Sequence, residues 1–142
     1  TTMVVVESLE GEVFLKATPL KGRDLPMHGT ASGKCFLAFS SDEAQRHLLA
    51  ALTFTKTTQK TIGDARRLEK EFAKIRKAGY ATEEDEYTAD TVALAVPIID
   101  QGEKIRATLS LHGASARFGA ARRPKLLALL QKEAQRIGKL LL

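Results

Sequence analysis

One cysteine, Cys35, in 142 residues leaves no partner for an internal disulfide, as suits a reducing compartment. No apolar run approaches the roughly 20 residues that a bilayer-spanning helix needs. Nothing resembles a signal peptide, and a cytoplasmic location is expected. Internal repeats and low-complexity tracts are missing. His28, His47, His112 and Cys35 offer no pair at the close spacing of a structural zinc site, so no metal and no cofactor are expected. The net charge of +5 is not concentrated. Its basic residues are spread over helical segments and interleaved with acids, the pattern of a solvated surface rather than a nucleic-acid footprint.

What is present is ordinary for a globular protein: 44% hydrophobic and 27% charged residues. The length suits one domain, 1–142, with a real core. The chain opens directly on a strand-like sequence and reads as a piece of a longer protein.

The stretch from His28 to Phe39, HGTASGKCFLAF, changes abruptly from small polar residues to an apolar run. Thr30 or Ser32 can cap a helix start there. The first N–H groups of a helix have no partner within it. Gly29, Ala31 and Gly33 leave the backbone bare, so a small anion could meet N–H donors and the positive end of the helix dipole. The same stretch is a poor nucleotide phosphate loop: its glycine spacing is one residue short, and Cys35 stands where a magnesium-binding hydroxyl belongs.

Before that helix, Met3–Glu7 and Glu12–Lys16 flank Glu10-Gly11 and predict a β-hairpin. Ala17–Met27, with Pro19, Gly22 and Pro26, is expected to be irregular. After it, Ser40 stands three residues ahead of Glu43, a capping box that predicts a short helix burying Ala44, Leu48 and Leu52. The threonine-rich segment 53–61 reads as a surface loop. Asp64–Ala78 carries Ala65, Leu68, Phe72 and Ile75 on one helical stripe, with Gly79 as its stop.

The acidic run 83–86 precedes a strand apolar on both faces, Val92–Ile99, in which Pro97 suggests an edge or a bulge. A turn at 100–103 leads to a second strand. Ile105, Ala107, Leu109 and Leu111 take one face, and Arg106, Thr108, Ser110 and His112 the other. Gly113 is expected to end it. A last helix starts near Pro124, with Leu126, Leu130, Ala134, Ile137 and Leu141 at helical spacing. The order of elements predicts an α+β fold, a mostly antiparallel twisted sheet with helices packed on it.

Cys35 with His28 or His112 could form a nucleophile and base, but Cys35 lies in the apolar part of its helix, where cysteine behaves as a small hydrophobe. Ser110 and His112, two apart on a strand, share a face. Across a hollow from the helix start, both could bind the same anion. One carboxylate of the acidic run, turned inward, could accept from a ligand hydroxyl.

Three segments in order, LPMHGTASGKCFLAF from Leu25, DARRLEKEFAKIRKAGYATEEDEY from Asp64 and VALAVPIIDQGEKIRATLSLHGASARF from Val92, resemble the C-terminal effector-binding domain of IclR-type bacterial transcription regulators. The resemblance covers nearly the whole chain. It implies a GAF-like or profilin-like fold that binds a small organic or aromatic acid and self-associates as dimer or tetramer. It implies contact with DNA only through an N-terminal winged helix-turn-helix domain absent from this sequence, and no membrane partner. The effector positions it implies are Ala31, Ser32, Glu83, Thr91, Ala93, Ser110 and His112, with Met27, Cys35 and Phe36 as apolar walls and no catalytic residue. Departures stand at Thr91 and Ala93, where the family often has an apolar residue and a cysteine. His112 replaces a frequent serine, and Asp90 a common glycine. A larger cavity and a charge-switchable donor follow, suiting an acid bulkier than two or three carbons. The alternatives are a small enzyme using Cys35 or His112, or a ligand-free oligomerisation module.

Overall fold

The computed structural model describes residues 1–11 and 21–142. In chain order it contains β1 (Thr2–Val4), β2 (Asp24–Pro26), α1 (Ala31–Phe39), α2 (Asp42–Ala51), α3 (Ala65–Ala78), β3 (Ala81–Glu84), β4 (Thr91–Ile99), β5 (Ile105–Ala114), a 3-10 turn at Ser115–Arg117 and α4 (Arg123–Gly138). All described strand pairings are antiparallel: β1 with β2, and β3-β4-β5 in that order. This is the α+β architecture that the order of elements predicted.

The β3-β4-β5 sheet separates two cores. On one side, Ala81, Ala93 and Ala95 meet Cys35, Leu37 and Ala38 of α1 and Leu68, Phe72 and Ile75 of α3. On the other, Val92, Leu94, Val96 and Ile98 pack with Phe118 and with Leu130 and Ala134 of α4. Small residues on the α1 face let that helix lie close to the sheet, whereas the α4 face is built of branched side chains. β4 is therefore buried on both faces, which explains its continuous apolar sequence.

The hairpin expected at the start is different. β1 pairs with Asp24–Pro26, inside the segment expected to be irregular; the proposed second strand, Glu12–Lys16, lies outside the described residues. Pro97 sits in the central strand, beyond the last β3 pairing at Ala81↔Ala95, and a register shift follows at Ile98/Ile99. No β3 carbonyl there requires the missing N–H.

The cap of α2 is Ser41, whose hydroxyl accepts from Ala44 N, while Ser40 closes α1 by donating to Phe36 O at 2.7 Å. The capping box is thus not made. Leu49 is buried in that helix, and Ala44 is exposed. Gly113 lies within β5 rather than ending it, because a Cβ there would meet the Phe118 ring at 3.0 Å. At the end of α4 the buried position is Gly138, not the exposed Ile137, and a Cβ at 138 would lie 2.1 Å from Ile99 O. The α3 stripe and its left-handed Gly79 stop stand as read, with Leu68, Phe72 and Ile75 buried.

Candidate functional site

The start of α1 is set by a compact knot. Thr30 Oγ1 accepts from Gly33 N at 3.2 Å and donates to Pro26 O at 2.8 Å, tying the helix start to β2. Gly33 is bare for a packing reason: an added Cβ would lie 2.2 Å from Met27 Cα and 2.3 Å from Met27 O. That corrects the expectation that Gly33 opens the backbone to an anion. The amides of Ala31 and Ser32 have no hydrogen-bond acceptor among the described residues. They are the donors left at this helix end.

β3, β4 and β5 bring the other positions onto the α1 side of the sheet. Register pairs Glu83 with Ala93 and Ala93 with His112, so these three form one row across the strands. Ala81, Ala95 and Ser110 form the next row. Neighbouring strands lie about 5 Å apart, which separates the ends of each row by about 10 Å. α1 packs against all three strands. Glu83 and Ala93 are buried beneath it, and Ser110 and His112 are exposed beside it. The β5 end of both rows is therefore open to solvent, and the enclosed hollow expected between helix and strand is not what these exposures describe.

Each remaining position has a definite environment. Met27 and Cys35 are buried in the core and Phe36 is half-buried against it. Burial pushes the Cys35 thiol up to about 12, which removes its thiolate at neutral pH. The Thr91 hydroxyl donates to Thr88 O at 2.7 Å and serves the preceding turn. Glu83 Oε1 accepts from Glu86 N at 2.7 Å and Tyr87 N at 3.1 Å. Burial raises the Glu83 pKa against those two donors. His112 is exposed by surface area, yet nearby atoms crowd its ring enough for desolvation to hold it below the ordinary histidine value.

Two features escaped the reading of the sequence. Lys34, one residue before Cys35, is buried and chelates Glu86 at 2.7 and 2.8 Å. A lysine inside an apolar run was the available signal, because a buried ammonium needs a partner. This pairing also removes Lys34 from any phosphate-loop role. The threonine segment is no simple surface loop. Thr61 is buried, and its hydroxyl donates to Glu86 O at 2.6 Å while accepting from Thr57 N and Thr58 N. Turn 85–90 is thereby clamped between α1 and that loop. The left-handed backbone of Asp90 (φ 59°) accounts for a glycine-favouring position there.

Two hollows lie elsewhere. One of about 300 Å³ is lined by Thr1, Thr2, Pro26, His28, Ala51, Thr53 and Thr55. The other, about 180 Å³, lies between the 99–101 turn and the end of α4. His28 Nε2 is 2.9 Å from Thr55 O, and its Nδ1 is buried without a partner among the described residues. Among the described residues no three of His, Cys, Asp and Glu gather as a metal site, and no helix is long and apolar enough to cross a membrane.

The family described as bacterial transcriptional regulator IclR C-terminal matches residues 1–139. The HTH-type transcriptional regulator XynR of Escherichia coli is 30% identical over 135 residues, covering 95% of this chain and 52% of XynR. The Thermotoga maritima IclR crystal structure superposes with a TM-score of 0.87 at 28% identity, over 94% of this chain and 54% of that one. A double mutant of the PobR inducer-binding domain from Acinetobacter, solved with 3-hydroxybenzoic acid, shares the fold at a TM-score of 0.80 and 22% identity, over 92% of this chain and 75% of that one. The chain spans about half the length of the curated relatives it matches.

Proposed function

This chain belongs to the IclR C-terminal family of bacterial transcriptional regulators, and from that premise we propose that it is the effector-binding part of such a regulator, sensing a small organic or aromatic acid. The observation that carries the reading is the placement of two unlike sets of groups on the α1 side of the sheet. The amides of Ala31 and Ser32, without an acceptor among the described residues, lie at the start of α1, and Ser110 and His112 lie on β5 beside that helix.

A carboxylate held by those amides and the Ser110 hydroxyl would rest over Ala93, with Glu83 at the buried end of the row as an acceptor for a ligand hydroxyl. Alanine at 93 leaves room for a ring or a chain of more than three carbons. Met27, Cys35 and Phe36 supply apolar support. A double mutant of the PobR domain was solved with a hydroxylated aromatic acid, and that chemistry fits the same pair of requirements. A thiol raised to about 12 inside the core is not a nucleophile, so sensing rather than turnover is the role proposed.

The ligand would tie α1 to β5. It shifts a regulator only if it prefers one of two arrangements, since equal affinity for both moves nothing. We place the DNA contact in an N-terminal winged helix-turn-helix domain of a cytoplasmic regulator that assembles as a dimer or tetramer. A screen of organic acids by melting temperature tests the reading. Hydroxylated and aromatic acids should raise the melting temperature by several degrees near saturation, the effect of about 2.7 kcal/mol at a hundredfold excess over Kd. Failure of every acid would favour a ligand-free oligomerisation module.

A further inference from the structure

The four consecutive acids at 83–86 do not share one fate. Glu84 is paired with Arg123, Asp85 with Lys60 at 2.7 Å, and Glu86 with Lys34 at 2.7 Å. Glu83, the most buried of the run, has no cation partner among the described residues. Two backbone amides fix its Oε1, and Oε2 receives no donor among the described residues. The nearest buried ammonium, Lys34, already holds both oxygens of Glu86. At the other end of the row, desolvation favours the neutral form of His112.

We propose that Glu83, buried and with no cation in salt-bridge contact among the described residues, sets the charge of the effector, so that the site takes monocarboxylic acids bearing a hydroxyl and rejects dicarboxylic acids. This rests on the acid-sensing reading above. A second carboxylate beside Glu83 would place two like charges in a poorly solvated site, where their repulsion is far stronger than in water. A hydroxyl in the same place donates to Oε2 and satisfies an open acceptor. Lys34 cannot relieve the repulsion without abandoning Glu86.

The test titrates the chain calorimetrically with matched acids that differ only in hydroxyl or hydroxymethyl against carboxylate: meta-hydroxybenzoate against isophthalate, and gluconate against glucarate. The same titrations are repeated on Glu83→Gln, which keeps a side-chain oxygen to accept from the Glu86 and Tyr87 amides. Wild type should bind the hydroxy monoacid of at least one pair about tenfold or more tighter than its dicarboxylic partner, and Glu83→Gln should bring the two within about threefold. Equal binding of both partners by wild type overturns the charge assignment while leaving acid sensing intact, as does a preference unchanged in Glu83→Gln. If no member of either pair binds wild type, the charge assignment falls, while acid sensing stands or falls separately with the melting-temperature screen.

Discussion

Lys34 and Cys35 are neighbours in sequence, both buried, and they meet burial in opposite ways. The thiol stays neutral, pushed up to about 12 by desolvation. Alkylation by iodoacetamide near neutral pH should therefore leave Cys35 unmodified in the folded chain and modify it fully once the chain is denatured, read by mass spectrometry. Rapid labelling of the native chain would contradict the burial. The lysine keeps its charge by pairing with Glu86. Glu83, with no such partner among the described residues, has its pKa raised, above all by burial. A carboxyl group raised in the folded state contributes stability that is fully present below its unfolded pKa and lost as pH rises through the folded one. Glu83→Gln should accordingly melt higher than wild type at neutral pH, with the difference shrinking as the pH falls into the carboxylate range. A constant difference across pH would mean that the charge is not the cause.

At the scale of elements, α1 is held by a network that periodicity does not reveal. Its lysine reaches 52 positions along the chain to Glu86, and Thr61 reaches 25 positions to the same residue. Lys34 is 3% exposed and Glu86 17%, so removing Glu86 strands the deeper charge. Glu86→Gln should cost about 3 kcal/mol in denaturant melts, and Lys34→Met less, because Glu86 keeps some contact with water. The reverse order would show that the pair is not buried as described. These partners explain what was legible and what was not. Repeating apolar positions place α3, β4, β5 and α4, since each buries one stripe or face that a sequence displays directly. The three-residue strands β1 and β2 carry too little pattern, and their pairing is a product of the knot at Pro26–Gly33. Even within α4, the buried residue at the end is Gly138, close against Ile99 O, rather than Ile137. Of the proposed site, the shared face of Ser110 and His112 was legible because strand alternation dictates it. Glu83 could be named only by resemblance, because its burial depends on the folding of the turn after it.

At the scale of the whole molecule, the sheet divides the labour. Its α4 face is a branched aliphatic core, whereas its α1 face is built from alanines with polar groups at both ends of a row. A carboxylic acid bound on the α1 side would connect a helix start, the edge strand β5 and, through Glu83, the clamped turn 85–90. Binding would also cover His112, which is exposed. The most direct measurement is a calorimetric titration of the acid that best stabilises the wild-type chain into wild type and Ser110→Ala, each first shown to melt at the same temperature without ligand. Loss of the Ser110 hydroxyl should weaken binding about tenfold, the loss of about 1.4 kcal/mol expected when a charge-assisted hydrogen bond is removed. An affinity unchanged by Ser110→Ala would place the acid elsewhere and contradict the account.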